Sequence, residues 1–278
     1  MFQHNRIHDI IKHSTLDTID TKILIMHATK FTHSYLIANP NKELTLDAML
    51  LLTEIIKRRQ KGEPISYILG YKEFYGRRFK VTKDTLIPRP ETELLVDIVL
   101  SIIKPGDVIL DLGTGGGVIA ITLKLECDNL NCDVDITALD YYPDTLKVAK
   151  DNGDILGANV KYVLSNWFDD ISCDYPTQHL FNIIVSNPPY IAPDDVHLKD
   201  LSYEPKSALT DNKDGYAHIT HIIKSAHKFL KSHGYVILEH GYNQAKHIQE
   251  LFKLHGYDNI KTIKDYGQQD RITMARIL

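Results

Sequence analysis

An apolar run, Val108-Ile109-Leu110-Asp111-Leu112, stops at Gly113-Thr114-Gly115-Gly116-Gly117 and gives way to helical periodicity from Val118 to Lys124. The order strand, glycine loop, helix opens a βαβ unit, so the chain is read as helices packed on a mostly parallel sheet. Glycines take positive φ without penalty and let a ligand approach the backbone. The helix that follows begins with free N–H groups. The loop alone leaves the ligand open. Gly115-x-Gly117-x-x-Ala120 fits the Gly/Ala form of the dinucleotide fingerprint, whereas Gly113-x-Gly115-x-Gly117 fits the tighter loop of S-adenosylmethionine enzymes.

Later runs end in polar residues. Residues 135–140 close on Asp140, a carboxylate suited to a ribose diol, though a surface Asp after a strand looks the same. Residues 160–167 close on Asn166 and Trp167, the single tryptophan of the chain. That ring suits either an adenine-stacking wall or the core. Residues 181–186 run into Asn187-Pro188-Pro189-Tyr190. Two prolines remove two backbone donors and fix φ near about −65°, and Asn187 is held extended before them. The Asn carbonyl, free backbone carbonyls and the Tyr190 ring remain. Such acceptors can grip a planar –NH₂ by both hydrogens; the plain alternative is a Pro-rich turn.

Helical patterns over residues 143–157, 214–231 and 243–255 alternate with strands, and 235–239, 260–264 and 271–278 complete the set. The fold class expected is α/β: a seven-stranded Rossmann-like sheet, mostly parallel, with an antiparallel edge. Ligands sit outside the carboxyl ends of such strands, where 113–117, Asp140, Trp167 and Asn187 all fall. Before this, residues 6–13, 19–30 and 46–61 read as helices, 72–81 as a hairpin with Gly76 in its turn, and 91–100 as a helix entered through Pro88-Arg89-Pro90. The division expected is a helical domain over 1–72, a hairpin linker over 73–90 and a catalytic domain over 91–278.

The net charge of −4 argues against a dedicated duplex-DNA binder. No apolar stretch of about 18 residues or signal-type leader is seen, which fits a cytoplasmic enzyme. Cys127, Cys132 and Cys173 lack zinc-ligand spacing and are read as reduced thiols. His218 and His221 lack a third ligand and are read as surface residues, so no metal is expected. The basic runs at 57–61 and 77–80 read as solvated faces, or less often as docking sites for an RNA-mimicking or ribosome-associated partner.

Gly62-Glu63-Pro64, Pro88-Arg89-Pro90-Glu91-Thr92-Glu93, Asp111-Leu112-Gly113-Thr114-Gly115, Asn187-Pro188-Pro189-Tyr190, Glu204-Pro205, Glu239-His240-Gly241 and Asp270-Arg271 stand along most of the chain. In these motifs the sequence resembles the HemK/PrmC-type protein-(glutamine-N5) methyltransferases. The resemblance implies S-adenosyl-L-methionine as methyl donor, S-adenosyl-L-homocysteine as product, and the Gly-Gly-Gln glutamine of class I peptide chain release factors as acceptor. It also implies that the N-terminal helices help to hold that partner. By motif, Gly113, Thr114, Gly115, Gly116 and Gly117 would line the methionine part of the cofactor, Asp140 the ribose and Trp167 the adenine. Asn187 would bind the substrate amide, with Pro188, Pro189 and Tyr190 shaping its pocket. Gly116 replaces a frequent Ser or Thr, and Asn166 a usual Asp, but Asn can still accept or donate at the adenine edge. Arg89, Glu91, Glu204 and Glu239 are left open between site supports and structural groups. A monomer suffices and no stable nucleic-acid or membrane partner is expected. The same acceptors would serve an exocyclic amino group of a nucleic-acid base, which is the alternative function. A silent module binding translation factors and a nicotinamide dehydrogenase are further alternatives, and neither explains Asn187 to Tyr190.

Overall fold

The computed structural model describes residues 5–171 and 181–278. They form two compact units, Met1–Tyr71 and Lys72–Leu278. In the first, five helices run α1 Ile7–His13, α2 Thr18–Thr29, α3 His33–Ala38, α4 Leu46–Gln60 and α5 Ile65–Leu69. Asp17 accepts from the backbone N–H of Ile19 and Asp20, and Thr45 from Ala48, so α2 and α4 start on side-chain caps. Ile10, Leu24, Ile25 and Leu52 are fully buried among them. Short α3 and α5 have no long apolar stripe, and neither was expected from the sequence.

β1 Tyr71–Phe74 begins on the last residue of the first unit, and with β2 Arg77–Lys80 it opens the second. Tyr75 and Gly76 both take positive φ, as a tight hairpin turn demands. The segment expected as a hairpin linker, 73–90, packs into this unit. Phe74 and Phe79 are buried edge to face at 6.0 Å, in the cluster that also holds Leu95 and Ile121. Then follow α6 Glu91–Ile102, β3 Val108–Leu112, α7 Val118–Asn129, β4 Asp135–Asp140, α8 Pro143–Leu156, β5 Lys161–Leu164 and β6 Phe181–Ser186. The chain closes with α9 Ala217–Ala226, β7 Leu230–Glu239, α10 Ala245–Leu254, β8 Tyr257–Lys264 and β9 Asp270–Ile277.

The seven-stranded sheet runs β5-β4-β3-β6-β7-β9-β8. The reversed strand is β9, antiparallel to both β7 and β8, so β8 takes the edge. Both faces of the central strands are covered, which is why they read as unbroken apolar runs. Ile109, Ile183 and Ile237 face one cluster, and Leu110, Ile184, Val236 and Leu238 the other. Strand order turns back between β3 and β6, and the crevice beyond that switch point is where α/β sheets bind ligands.

The basic runs are largely neutralised: Arg58 pairs with Glu63, Arg59 with Asp20, Arg77 with Glu126 and Lys80 with Asp151. Cys127 and Cys132 are free thiols, and Cys173 lies outside the described residues. Among the described residues no helix is long and apolar enough to cross a membrane.

Candidate active site at the strand switch point

Leu112 pairs with Ser186, so Gly113 and Asn187, each one residue further on, leave the sheet at the same level. The Ser186 hydroxyl donates to the Leu112 carbonyl at 2.6 Å and fixes that register. A pocket of about 270 Å³ opens there, walled by Gly113, Thr114, Gly115 and Gly116 on one side and by Asn187 and Pro189 on another. Asp140 and Trp167 also line it. Pro188 and Tyr190 line a smaller recess of about 70 Å³, which shares Asn187 and Arg89 with the main pocket. Gly117 stands behind the wall. A Cβ there would come 2.7 Å from Ile121 Cδ1 and 3.2 Å from Ala149 Cβ, at φ 83°, so its bareness serves packing of α7 on α8.

The glycine loop is tied to β4. Thr114 N donates to the Leu139 carbonyl at 2.8 Å, and Gly115 N to Asp140 Oδ2 at 3.0 Å. Asp140 Oδ1 accepts from Tyr142 N at 3.0 Å. Burial pushes this carboxyl up, against the N–H groups of Tyr142 and Gly115. Asn152, unremarked in the sequence, closes the rear. Its Nδ2 donates to the carbonyls of Gly116 (2.8 Å) and Lys80 (3.1 Å), and its Oδ1 accepts from Lys80 N at 2.7 Å. Hairpin, loop and α8 are thus joined by one buried amide.

Trp167 sits at φ 52°, an unusual place for a bulky residue. Ser165 Oγ holds it there, donating to the Trp167 carbonyl at 2.9 Å and accepting from Asp170 N at 3.1 Å. The ring covers the bare Cα of Gly113 and lies 5.1 Å from the His218 ring. His218 lines the pocket and therefore departs from the surface reading, while His221 is exposed. Spacing of i,i+3 does not tell which way a helix is rolled. The roll is set by Asp211, whose carboxylate accepts from the N–H groups of Lys213, Gly215 and Ala217 and starts α9 three residues later than the pattern suggested. Asn166, which also lines the pocket, donates one N–H from Nδ2 to Asp169 Oδ2 at 2.8 Å and keeps Oδ1 without a hydrogen bond among the described residues.

Asn187 is oriented in the same manner. Its Nδ2 donates to Thr92 Oγ1 at 3.2 Å, and its Oδ1 makes no hydrogen bond among the described residues. The Tyr190 carbonyl accepts from Gln244 Nε2 at 3.1 Å, whose second hydrogen goes to the Gly215 carbonyl at 3.1 Å. Glu204 ties the Pro-Arg-Pro segment to the loop after β6, with Oε2 accepting from Ile87 N at 2.9 Å and Oε1 from Arg89 Nη2 at 2.6 Å. The sequence offered Thr92 and Glu204 inside motifs without assigning them a task; Gln244 and Asn152 gave no signal.

Two carboxyls under this floor are fully buried. Asp111 Oδ2 accepts from Thr114 Oγ1 (2.6 Å) and Ala120 N (3.2 Å), but Oδ1 has no partner. Burial lifts its pKa to about 7, and Asp140 adds to the lift while Thr114 and Ala120 oppose it. Burial lifts Glu239 to about 7 as well, opposed by Thr92 and Arg271. Both folded-state values exceed the ordinary carboxyl range, so between about pH 4 and 7 the folded chain keeps protons that the unfolded chain has lost. The contribution of these two carboxyls to stability should therefore fall as pH rises through that window and level off above it, while His27, His218 and His240, which burial holds below the ordinary imidazole range, contribute with the opposite sign. Glu239→Gln should accordingly gain stability relative to the parent between pH 5.5 and pH 8, and a difference that does not change with pH in denaturant titrations would contradict this.

Residues 11–70 match the family described as the PrmC N-terminal domain, and residues 103–273 match a methyltransferase domain family. A release factor glutamine methyltransferase of Haemophilus influenzae is 39% identical over 270 residues, covering 92% of this chain and 90% of that protein. One from Buchnera aphidicola subsp. Schizaphis graminum is 40% identical, covering 96% and 94%. In fold, the chain is similar to a crystal structure of a methyltransferase from Pyrococcus furiosus, with a TM-score of 0.55 at 18% identity over 79% of this chain and 98% of that one. With identity at this level over nearly its whole length, the chain belongs to the release factor glutamine methyltransferase family.

Proposed function

We propose that the pocket at the β3/β6 switch point binds S-adenosyl-L-methionine, and that the enzyme methylates the side-chain amide nitrogen of the Gly-Gly-Gln glutamine in class I peptide chain release factors. S-adenosyl-L-homocysteine is the second product. The observation that carries the reading is Asn187, whose amide is turned by Thr92 so that Oδ1 is free at the end of β6, level with Gly113.

The donor set fits the cofactor. Gly113, Gly115 and Gly116 line the pocket with bare backbone, Gly113 and Gly115 at positive φ; a Cβ on Gly113 would meet the Trp167 ring at 3.7 Å, and one on Gly115 would meet no protein atom within 4 Å. Asp140, fixed by two backbone N–H groups, offers remaining lone pairs to a ribose diol. Trp167 supplies a flat apolar face for adenine, and Asn166 Oδ1 supplies the acceptor that an exocyclic amino group needs, much as an Asp would. When bound, the cofactor supplies an electrophilic methyl group on a sulfonium.

The residues of the chain do the rest by positioning. An amide nitrogen is a poor nucleophile, because its lone pair is delocalised into the carbonyl; the rotation barrier of ~18–20 kcal/mol measures that delocalisation. Asn187 Oδ1 and the Pro188 carbonyl accept the two amide hydrogens, aim the nitrogen at the methyl group and stabilise the positive charge it gains. Pro189 and Tyr190 shape the pocket and exclude water. No carboxylate in the Asn-Pro-Pro-Tyr motif acts as base, so the proton leaves after transfer. The helices of the first unit hold the release factor, and the enzyme works as a monomer in the cytoplasm with that substrate. Incubation of the full chain with a class I release factor and labelled S-adenosylmethionine tests this. One methyl on the Gly-Gly-Gln glutamine, found by mass spectrometry, is the expected result. Label transferred to RNA or DNA and not to the release factor would overturn it.

A further inference from the structure

The hydrogen bond between Asn187 and Thr92 has a direction. Asn187 Nδ2 donates and Thr92 Oγ1 accepts, over 3.2 Å. A hydroxyl that accepts still has a proton of its own to place. Thr92, in the first turn of α6, is 3% exposed, so that proton goes to protein and not to bulk water. Beside it lies the Glu239 carboxyl, one of whose oxygens is buried without a partner. Glu239 ends β7 two residues after Ile237 and so points to the same face of the sheet, the one α6 covers. It is 1% exposed; Oε1 accepts from the Tyr190 hydroxyl at 3.4 Å and Oε2 has no hydrogen-bond partner among the described residues.

We infer that Glu239 and Thr92 are positioning residues that set which end of the Asn187 carboxamide faces the substrate. The inference rests on the reading of Asn187 as acceptor for the substrate amide. Ionised Glu239 takes the Thr92 proton, Thr92 accepts from Asn187, and Oδ1 is left for the substrate –NH₂. Once protonated, Glu239 donates to the Thr92 hydroxyl, which then donates to Asn187 instead. The carboxamide is then turned about, and –NH₂ faces –NH₂, donor against donor. The groups around Glu239 are Arg271, which favours its charge, and Glu91, which opposes it, with the Tyr190 phenol in contact. Arg271 is itself held by Asp265 Oδ2 at 3.2 Å and the His240 carbonyl at 3.3 Å. The Glu239 value near 7 places the change of state in an accessible pH range.

The test uses the full chain, a class I release factor and saturating labelled S-adenosylmethionine. Thr92→Val should lower kcat by about 10–100-fold, the scale of a misplaced reacting group, with cofactor affinity changed by less than about twofold. Thr92→Ser should restore most of the rate. In an Asn187→Ala background Thr92→Val should add no further loss, because coupled residues are not additive. The wild-type rate should rise with pH through about 7, and Glu239→Gln should lose that limb; this profile also decides the matter if Thr92→Val fails to fold. A Thr92→Val enzyme within about twofold of wild-type kcat, losses that multiply with Asn187→Ala, or an unchanged limb in Glu239→Gln would each overturn the inference. A wild-type enzyme that leaves the release factor unmethylated would instead overturn the function proposed above.

Discussion

Replacing Asn187 with Ala is expected to lower kcat by about 10²–10³-fold, the range found when one preorganised hydrogen-bond partner is removed from a charge-stabilising site. Affinity for S-adenosylmethionine should change little, because the wall proposed to hold it is built mainly from the glycine loop, Asp140 and Trp167, which line the pocket. The split follows from the geometry. Asn187 Oδ1 is the free acceptor at the end of β6, while Asp140 and the loop are held by their own backbone contacts at Gly115 and Tyr142. Ala leaves the Pro188 carbonyl as a single acceptor, and one acceptor does not fix the rotation of a planar amide. Well-oriented systems draw ~7–11 kcal/mol from positioning, so the loss of one of two contacts is large yet leaves measurable activity. Turnover within tenfold of wild type, with calorimetry showing normal cofactor binding, would remove Asn187 from the role.

The strand-end residues were legible for a physical reason. In a parallel sheet covered on both faces, side-chain chemistry can only emerge where strands stop, so a polar residue after an apolar run marks the rim. Gly113, Asp140, Trp167 and Asn187 were readable in this way, and register then brings Gly113 and Asn187 level. What the sequence hid lies at long separation. Asn152 reaches Lys80 across 72 positions, and Glu204 reaches Ile87 across 117. A buried Asn in a helix and a Glu in a loop carry no local pattern that reveals a distant partner. Helix limits failed where a side chain overrode periodicity, as Asp211 does before α9. The start of β7 at Leu230 was hidden by the register shift opposite Phe181 and Ile183, since a bulge breaks the alternation that marks a strand.

Gly215→Ala should damage the enzyme far more than Gly157→Ala, although both glycines stand in left-handed backbone. Their φ values are 82° and 75°, so an added Cβ costs about 1–2 kcal/mol of backbone strain at either position. Space separates the two. Nothing lies within 4 Å of a Cβ on Gly157, whereas one on Gly215 would come 2.5 Å from the Tyr190 carbonyl oxygen and 3.1 Å from Gln244 Nε2. That carbonyl cannot yield freely, because Gln244 grips it and is itself held by Gly241 N at 2.8 Å. The new methyl group therefore pushes on the chain one residue beyond Pro188-Pro189, and the acceptors for the substrate amide move with it. A shift on the order of 1 Å at such a site can cost about 10²-fold in rate. Gly157→Ala should lose about 1–2 kcal/mol of stability and keep its kcat, while Gly215→Ala should lose more stability and about 10²-fold in kcat. Equal kcat values for the two variants would mean that the Tyr190 carbonyl does not position the proline-framed acceptors, and that the grip of Gln244 serves the fold alone.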